Sequence, residues 1–419
     1  MKILFLSQSG AIGGAERVIL DAIATICTIQ PRWEVSLIAP VTGALTDRAQ
    51  ELGVATRIVA FTRVLAGLGD TRLVHGDQVS LLDRWRAIGR LVFSSPAIAG
   101  YLRRLRRAID EIHPDAIHAN GFKMHLLGAR AAPATSMLVW HLHDYIGSRL
   151  LMGPLLRMNL PRCNLIVANS QSVAEDARIA LGAGAPLQTV LNGVDLERFS
   201  PHGPTLDLDA CAGLSAARPG VVRVGLIATA ALWKGHAVFL RALAALPPEL
   251  PVRGYVIGGP IYQTTGSQLT MDELARTAAQ LGLAGRVGFT GHLNDIPAAM
   301  RALDIVVHAS TQPEPFGLVV AEAMASGRAV IASAAGGVTE LIEDGVDALT
   351  HQPGDAGALA RAIERLVADL AMRDRLGRQA RLTAERRFDR KRMGADLAAI
   401  YSDWLNRQVN SPHAAAARS

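Results

Sequence analysis

Residues 1–17 read MKILFLSQSGAIGGAER. A short apolar run, Lys2 to Leu6, leads into a glycine-bearing loop, Gly10-Ala11-Ile12-Gly13-Gly14, and then into a helix-like stretch over 15–29. Apolar run, glycine turn and helix together make the opening unit of a parallel sheet whose strands are covered on both faces. The run stops at Ser7-Gln8-Ser9, short of the roughly 7–15 apolar residues that a secretory signal takes. It is read as a buried first strand.

The same alternation continues outward. Runs at 35–39, 55–60, 116–118, 137–141 and 165–168 read as strands, with a helix-like stretch at 98–112 between them. Residues 199–220, FSPHGPTLDLDACAGLSAARPG, hold three prolines and three glycines and read as a linker. The pattern then restarts, with strands at 221–227, 252–257, 286–289, 304–308 and 329–333 separated by helix-like stretches at 236–246, 271–282, 316–326 and 355–371. The expectation is α/β architecture: two Rossmann-like doubly wound parallel-sheet domains, 1–198 and 221–385, facing a central cleft. Residues 375–408 look helical. Sequence does not decide which domain they pack on, and a helix over 386–409 crossing back to the first domain is one option. Residues 410–419 are expected to be a disordered tail.

Composition narrows the classes. Half of the 419 residues are hydrophobic and 19% are charged, which excludes a disordered chain. Aromatic residues at 5% argue against a base-stacking platform for single-stranded nucleic acid. No run of about 18 apolar residues occurs, so no membrane span is expected. Cys27, Cys163 and Cys211 are odd in number and far apart. That indicates neither a zinc knuckle nor a disulfide framework, and a reduced cytoplasmic chain fits best. The net charge is +6, and residues 1–200 carry 21 Lys and Arg against 16 Asp and Glu. A basic first half fits an anionic substrate, an anionic membrane or nucleic acid equally well.

Four motifs carry candidate chemistry. Gly13-Gly14 follows the first strand and opens a helix, where backbone amides and the positive end of the dipole favour an anion such as a diphosphate; a tight turn with no ligand is the alternative. Trp140-His141-Leu142-His143-Asp144 ends a strand, at the edge that faces the ligand crevice in such sheets. A histidine there, with Asp144 alongside, can act as an acid, a base or a hydroxyl-binding group, or be purely structural. Trp233-Lys234-Gly235 occupies the matching edge of the second domain, where Lys234 could neutralise a leaving diphosphate or simply be solvated. The strongest is Glu314-Pro315-Phe316-Gly317-Leu318-Val319-Val320-Ala321-Glu322. Pro315 is favoured at the first position of a helix. Eight residues separate the two carboxylates, about 12 Å along a helix axis, so they can hold different parts of one long, hydroxyl-rich ligand. The amides of Phe316, Gly317 and Leu318 between them offer an anion site.

With GGAER at 13–17, HD at 143–144, ANS at 168–170, LNGVD at 191–195, WKG at 233–235, GFTGHLNDI at 288–296, EPFGLVVAEAMASG at 314–327 and GGVTELIEDG at 336–345, the chain resembles the family 4 retaining glycosyltransferases of the GT-B fold. The resemblance implies transfer of a hexosyl group from a nucleoside diphosphate sugar to an acceptor hydroxyl with anomeric retention. It implies same-face attack, with the departing phosphate taking the acceptor's proton. By the same resemblance Glu322 binds the donor ribose and Glu314 the transferred sugar. Lys234 neutralises the leaving phosphate, the amides of Gly14 and of Phe316 to Leu318 meet the diphosphate and sugar, and His143 sits near the anomeric carbon. The family commonly has an arginine five residues before this lysine; here the position is Thr229. No cofactor and no metal are expected. The only Asp-x-Asp string, Asp207-Leu208-Asp209, falls in the linker and is read as chance.

The expected partners are a nucleoside diphosphate sugar and a carbohydrate or lipid-linked acceptor, in bacterial cell-surface polysaccharide or glycolipid synthesis, with no nucleic acid. Arg84, Arg86 and Arg90 precede Tyr101-Leu102-Arg103-Arg104-Leu105-Arg106-Arg107. As a helix this segment puts Leu102, Leu105 and Ile109 on one face and Arg103 and Arg107 on another. That is either an ordinary solvated face or a basic, interfacial one, placing a cytoplasmic protein weakly on the inner leaflet. A nucleotide-sugar epimerase on the same fold and a non-catalytic nucleotide-sugar-binding protein are the alternative functions.

Overall fold

The structure is a computed structural model that describes residues 1–67, 95–149, 151–259 and 268–409. The chain divides into two compact units. One comprises Met1–Gly193 together with the chain from Arg390, and the other comprises Val194–Asp389.

The first unit is built on seven parallel strands: β1 (Lys2–Leu6), β2 (Glu34–Ala39), β3 (Ala55–Ile58), β4 (Ala116–Asn120), β5 (Met137–Leu142), β6 (Leu165–Ala168) and β7 (Leu187–Thr189), in the order β3-β2-β1-β4-β5-β6-β7. Every pair is parallel, with Ile3 opposite Val35 on one side and Ala116 on the other. The period of two along β1 feeds two cores. Leu4 and Leu6 face a layer with Leu105, Ile109 and Trp140. Ile3 and Phe5 face the opposite layer with Val18, Ile23, Leu397 and Tyr401. That second layer is roofed by the helices Gly14–Ile29 and Arg390–Val409. So the last helix belongs to the first unit, where the Thr25 hydroxyl reaches the Arg390 carbonyl.

The second unit has six parallel strands: β8 (Val222–Ile227), β9 (Val252–Ile257), β10 (Val287–Gly291), β11 (Ile305–His308), β12 (Ala329–Ser333) and β13 (Leu349–His351), in the order β10-β9-β8-β11-β12-β13. In both sheets the order reverses beside the first strand, between β1 and β4 and between β8 and β11. These are the points where open α/β sheets leave a crevice at the carboxyl ends of their strands.

Three expectations are corrected. Residues 199–220 are not a bare linker, because they lie within the second unit. Asp207 caps the helix Leu208–Cys211, and Asp209 is buried, accepting hydrogen bonds from Arg253 and the Tyr255 hydroxyl. Asp207 is thus an exposed helix cap and Asp209 a buried packing group, and the Asp209 carboxyl is pulled below the usual range: burial opposes the shift, but Tyr255, the Ala217 amide and Arg253 outweigh it. The helix expected from Pro315 opens instead at Leu318, because Gly317 takes φ +92° as its N-cap. The helix Ser95–Ile112 buries Leu105 and Ile109 in the core. Its apolar face therefore cannot serve as an interfacial face, and its exposed charged residues are Arg103, Arg104, Arg106 and Arg107 with Asp110 and Glu111. Arg84, Arg86 and Arg90 lie outside the described residues. No helix among the described residues is long and apolar enough to cross a membrane.

Candidate active site

The second unit gathers its charged groups at the β8–β11 reversal. Lys234 ends a short turn after β8, and Gly235 follows at φ +74°. A Cβ on Gly235 would stand 1.8 Å from the Ala309 carbonyl oxygen, so only glycine lets the lysine-bearing loop lie against the loop leaving β11. The Thr311 amide donates to the Trp233 carbonyl and locks the two loops together. The result is a part-buried ion pair: the half-buried Lys234 ammonium meets Oε1 of the buried Glu314. The same oxygen accepts from the Ser310 hydroxyl at 2.6 Å, and His308 Nε2 stands 3.4 Å from it. Glu314 is held from the backbone as well, its carbonyl accepting from the Gly337 amide at 2.7 Å. Burial alone would raise the Glu314 carboxyl, but Lys234 and His308 hold it well below the carboxylate range.

Leu226, Ile227, Val307, His308, Ser310, Val319 and Lys234 line a small hollow beside this pair. Among its described lining residues Lys234 is the permanent cation, and none is an arginine. Glu322 lies on the helix Leu318–Ala325 and is 5% exposed. Of the predicted amide set, Phe316 is displaced from the helix start; its ring is buried and packs edge-on against Phe388. Gly317 and Leu318 stand at the N-cap and the first position, and Val320 is already bonded back to Gly317.

In the first unit, Gly13 caps the helix Gly14–Ile29, and its amide is taken by the Glu16 carboxylate at 3.1 Å. Gly14 has no positive φ, and a Cβ there would meet nothing within 4 Å. The fold itself does not require glycine at position 14, so the turn alternative does not account for it. His143 lies just past β5, half-buried, with Nε2 3.1 Å from Asn120 Oδ1. Burial pushes its imidazole down to about 4. Asp144 does not partner it: the Asp144 carboxylate pairs with Arg149 at 3.1 Å. His141 is buried under His143, with ring centroids 4.0 Å apart, so of the two histidines only His143 reaches the edge.

The sequence reading missed Ser310, His308 and Asn120. All three stand at or just past the carboxyl end of β11 or β4, so the edge rule that located Lys234 could have found them. Tyr401, which bonds His118 across 283 residues, carried no local signal.

Comparison with known proteins decides the family. The family model for glycosyl transferases group 1 matches residues 221–383, and that for glycosyltransferase family 4 matches residues 12–198. The chain belongs to the family 4 glycosyltransferases. The chain is 33% identical over 220 residues to the lipopolysaccharide core biosynthesis mannosyltransferase LpcC of Rhizobium leguminosarum bv. viciae, covering 52% of the chain and 60% of that protein. It is 34% identical over 254 residues to the D-inositol 3-phosphate glycosyltransferase of Xylanimonas cellulosilytica, covering 58% of each. It thus spans about three-fifths of the length of these relatives. Among solved structures, Anabaena Alr3699/HepE in complex with UDP-glucose superimposes with a TM-score of 0.76 at 28% identity, covering 96% of the chain and 100% of HepE. The glycosyltransferase thus has the GT-B fold, each of its two α/β units matched by one family model.

Proposed function

We propose that this glycosyltransferase moves a hexosyl group from a nucleoside diphosphate sugar to an acceptor hydroxyl, with retention and without a metal, in cell-surface polysaccharide or glycolipid synthesis. The observation that carries the proposal is the Lys234–Glu314 pair at the β8–β11 reversal, with Glu322 buried eight residues on. Glu314 accepts hydroxyls of the transferred sugar, and Glu322 those of the ribose. Lys234 faces the leaving phosphate, and the amides of Leu318 and Gly14 add hydrogen bonds to it. His143 stands by the anomeric carbon. Neutral at physiological pH because burial lowers its imidazole to about 4, it adds no charge there.

Two comparisons support the donor class. HepE has been solved with UDP and with UDP-glucose, and LpcC is a lipopolysaccharide core mannosyltransferase. Weak electrostatic attachment to an anionic leaflet is part of the proposal, carried by exposed Arg103 and Arg107 rather than by an apolar face.

The test of mechanism is the first-formed anomer. Proton NMR of sugar released from an α-linked donor should show the α-anomer before mutarotation, in EDTA as well as without it. A β-anomer as first product, a glycosyl adduct trapped on Glu314, or loss of turnover in EDTA contradicts the proposal.

A further inference from the structure

The first unit carries a buried polar column inside an otherwise apolar layer. The Tyr401 hydroxyl, on the helix Arg390–Val409, stands 2.6 Å from His118 Nδ1. His118 Nε2 stands 3.0 Å from His141 Nδ1, and the His141 ring lies against that of His143. Around these groups lie Ile3, Phe5, Val139, Val167 and Leu397. Burying imidazoles and a phenol in such a layer costs stability unless each finds a partner, so the column calls for a reason.

The proton positions follow from the partners. The Tyr401 hydroxyl is fully buried, with His118 as its partner, so donating to Nδ1 satisfies it and accepting would orphan its hydrogen. His118 then carries its proton on Nε2 and donates to His141 Nδ1. His141 in turn carries its proton on Nε2, an atom with no hydrogen-bond partner. From the other side, Asn120 Nδ2 donates to the His118 carbonyl, which turns Oδ1 toward His143. His143 therefore donates from Nε2 and keeps a lone pair on Nδ1, likewise buried and without a partner. A donor and an acceptor, both unpaired, are left on rings 4.0 Å apart.

We propose that Tyr401, His118 and His141 are positioning residues that fix the tautomer and orientation of His143 from the C-terminal helix. The column ends in a tyrosine sealed from solvent, so it cannot conduct protons in or out, and its effect is to choose which nitrogen of each ring carries hydrogen. Without the tyrosine hydroxyl, His118 and His141 are released to the other tautomer. That replaces the proton on His141 Nε2 with a lone pair and so changes the charge distribution of the ring that lies against His143. The role rests on the reading of His143 as the group beside the transferred sugar.

The experiment uses the full chain labelled with ¹⁵N-histidine. Two-bond ¹H–¹⁵N spectra report the tautomer of each ring, with resonances assigned from single-histidine variants. The wild type should show His118, His141 and His143 as Nε2–H. Tyr401→Phe should shift His118 and His141 toward Nδ1–H, move the His143 signals, and lower kcat for donor hydrolysis about tenfold, as loss of an orienting partner does, with KM little changed. His118→Gln, which keeps a donor near the Nε2 position, should restore both readouts where His118→Leu does not. That pair decides the matter if Tyr401→Phe fails to fold. Unchanged His141 and His143 tautomers with unchanged kcat in Tyr401→Phe overturn the proposal. Full activity in His143→Ala instead overturns the reading of His143, while the spectra still decide whether the column fixes tautomers.

Discussion

Glu314 is buried while the Lys234 side chain is 24% exposed, so removing the lysine leaves a buried carboxylate uncompensated. Breaking the pair should cost more than the roughly 1 kcal/mol of an exposed ion pair and less than the roughly 3–5 kcal/mol of a fully buried one. Lys234→Ala should therefore lower the unfolding free energy of the second unit in urea by that order, and Glu314→Gln in the same background should recover most of it. Equal loss in the single and double variants would show that the lysine acts through packing instead. Gly14 makes the opposite case. Alanine there meets open space at a helix start, and replacing glycine in a helix stabilises by roughly 0.5–1 kcal/mol. Gly14→Ala should keep or raise thermal stability while lowering donor turnover, since its methyl stands where the phosphate amides must be approached. Lost stability with unchanged turnover would return this glycine to a role in the turn.

At the scale of elements, strands buried on both faces were readable because they are short continuous apolar runs: β1, β6, β9 and β12 fall where the runs lie. β7 and β13 span three residues each, too few for any periodicity. The linker misreading has a specific cause. Prolines and glycines mark irregular backbone, but nothing in FSPHGPTLDLDACAGLSAARPG reveals that Asp209 has Arg253 and Tyr255 waiting on β9. The Glu314–Glu322 spacing was legible from local sequence; the partners of Glu314 were not, since Lys234 comes from a loop 80 residues away. The buried histidines of the first unit also predict acid behaviour. Burial pushes His118 and His125 down to about 3 and His143 to about 4, and holds His141 well below its ordinary value. These four are neutral in the fold and take protons when unfolded, near pH 6.5. Their contribution is complete above pH 6.5 and is lost as pH falls toward 4, with a slope of about 1.4 kcal/mol per pH unit for each histidine. Denaturant titrations across that range should show it. His125→Gln, which keeps an amide donor for the carbonyls of Ala119 and His141, should flatten the slope by one proton. A flat profile between pH 6.5 and 4 would mean these rings are hydrated in solution.

On the scale of the whole molecule, the chain leaves the first unit at Gly193 and returns to it at Arg390. Met393, Leu397 and Tyr401 are fully buried in that unit's core. Burying each such side chain contributes about 1.5–3 kcal/mol, a large part of the 5–15 kcal/mol that holds a domain together. Truncation after Asp389 should therefore unfold the first unit, seen as rapid proteolysis of residues 1–193, and spare the second. Resistance of both units would show that the last helix is dispensable. The exposed arginines of the helix Ser95–Ile112 give a further expectation: binding to anionic liposomes at low salt that is lost by physiological salt. Binding that resists salt would require an apolar contact that this helix does not offer. The central claim, that the Lys234–Glu314–Glu322 arrangement holds a nucleotide sugar, is tested most directly by donor hydrolysis. The purified protein is incubated with UDP-, GDP- and ADP-sugars, with and without EDTA, and released nucleoside diphosphate is followed. The account predicts release from one donor class, unaffected by EDTA and abolished in Glu322→Ala. A panel with no release, together with no calorimetric binding of any of these nucleotides, would contradict it.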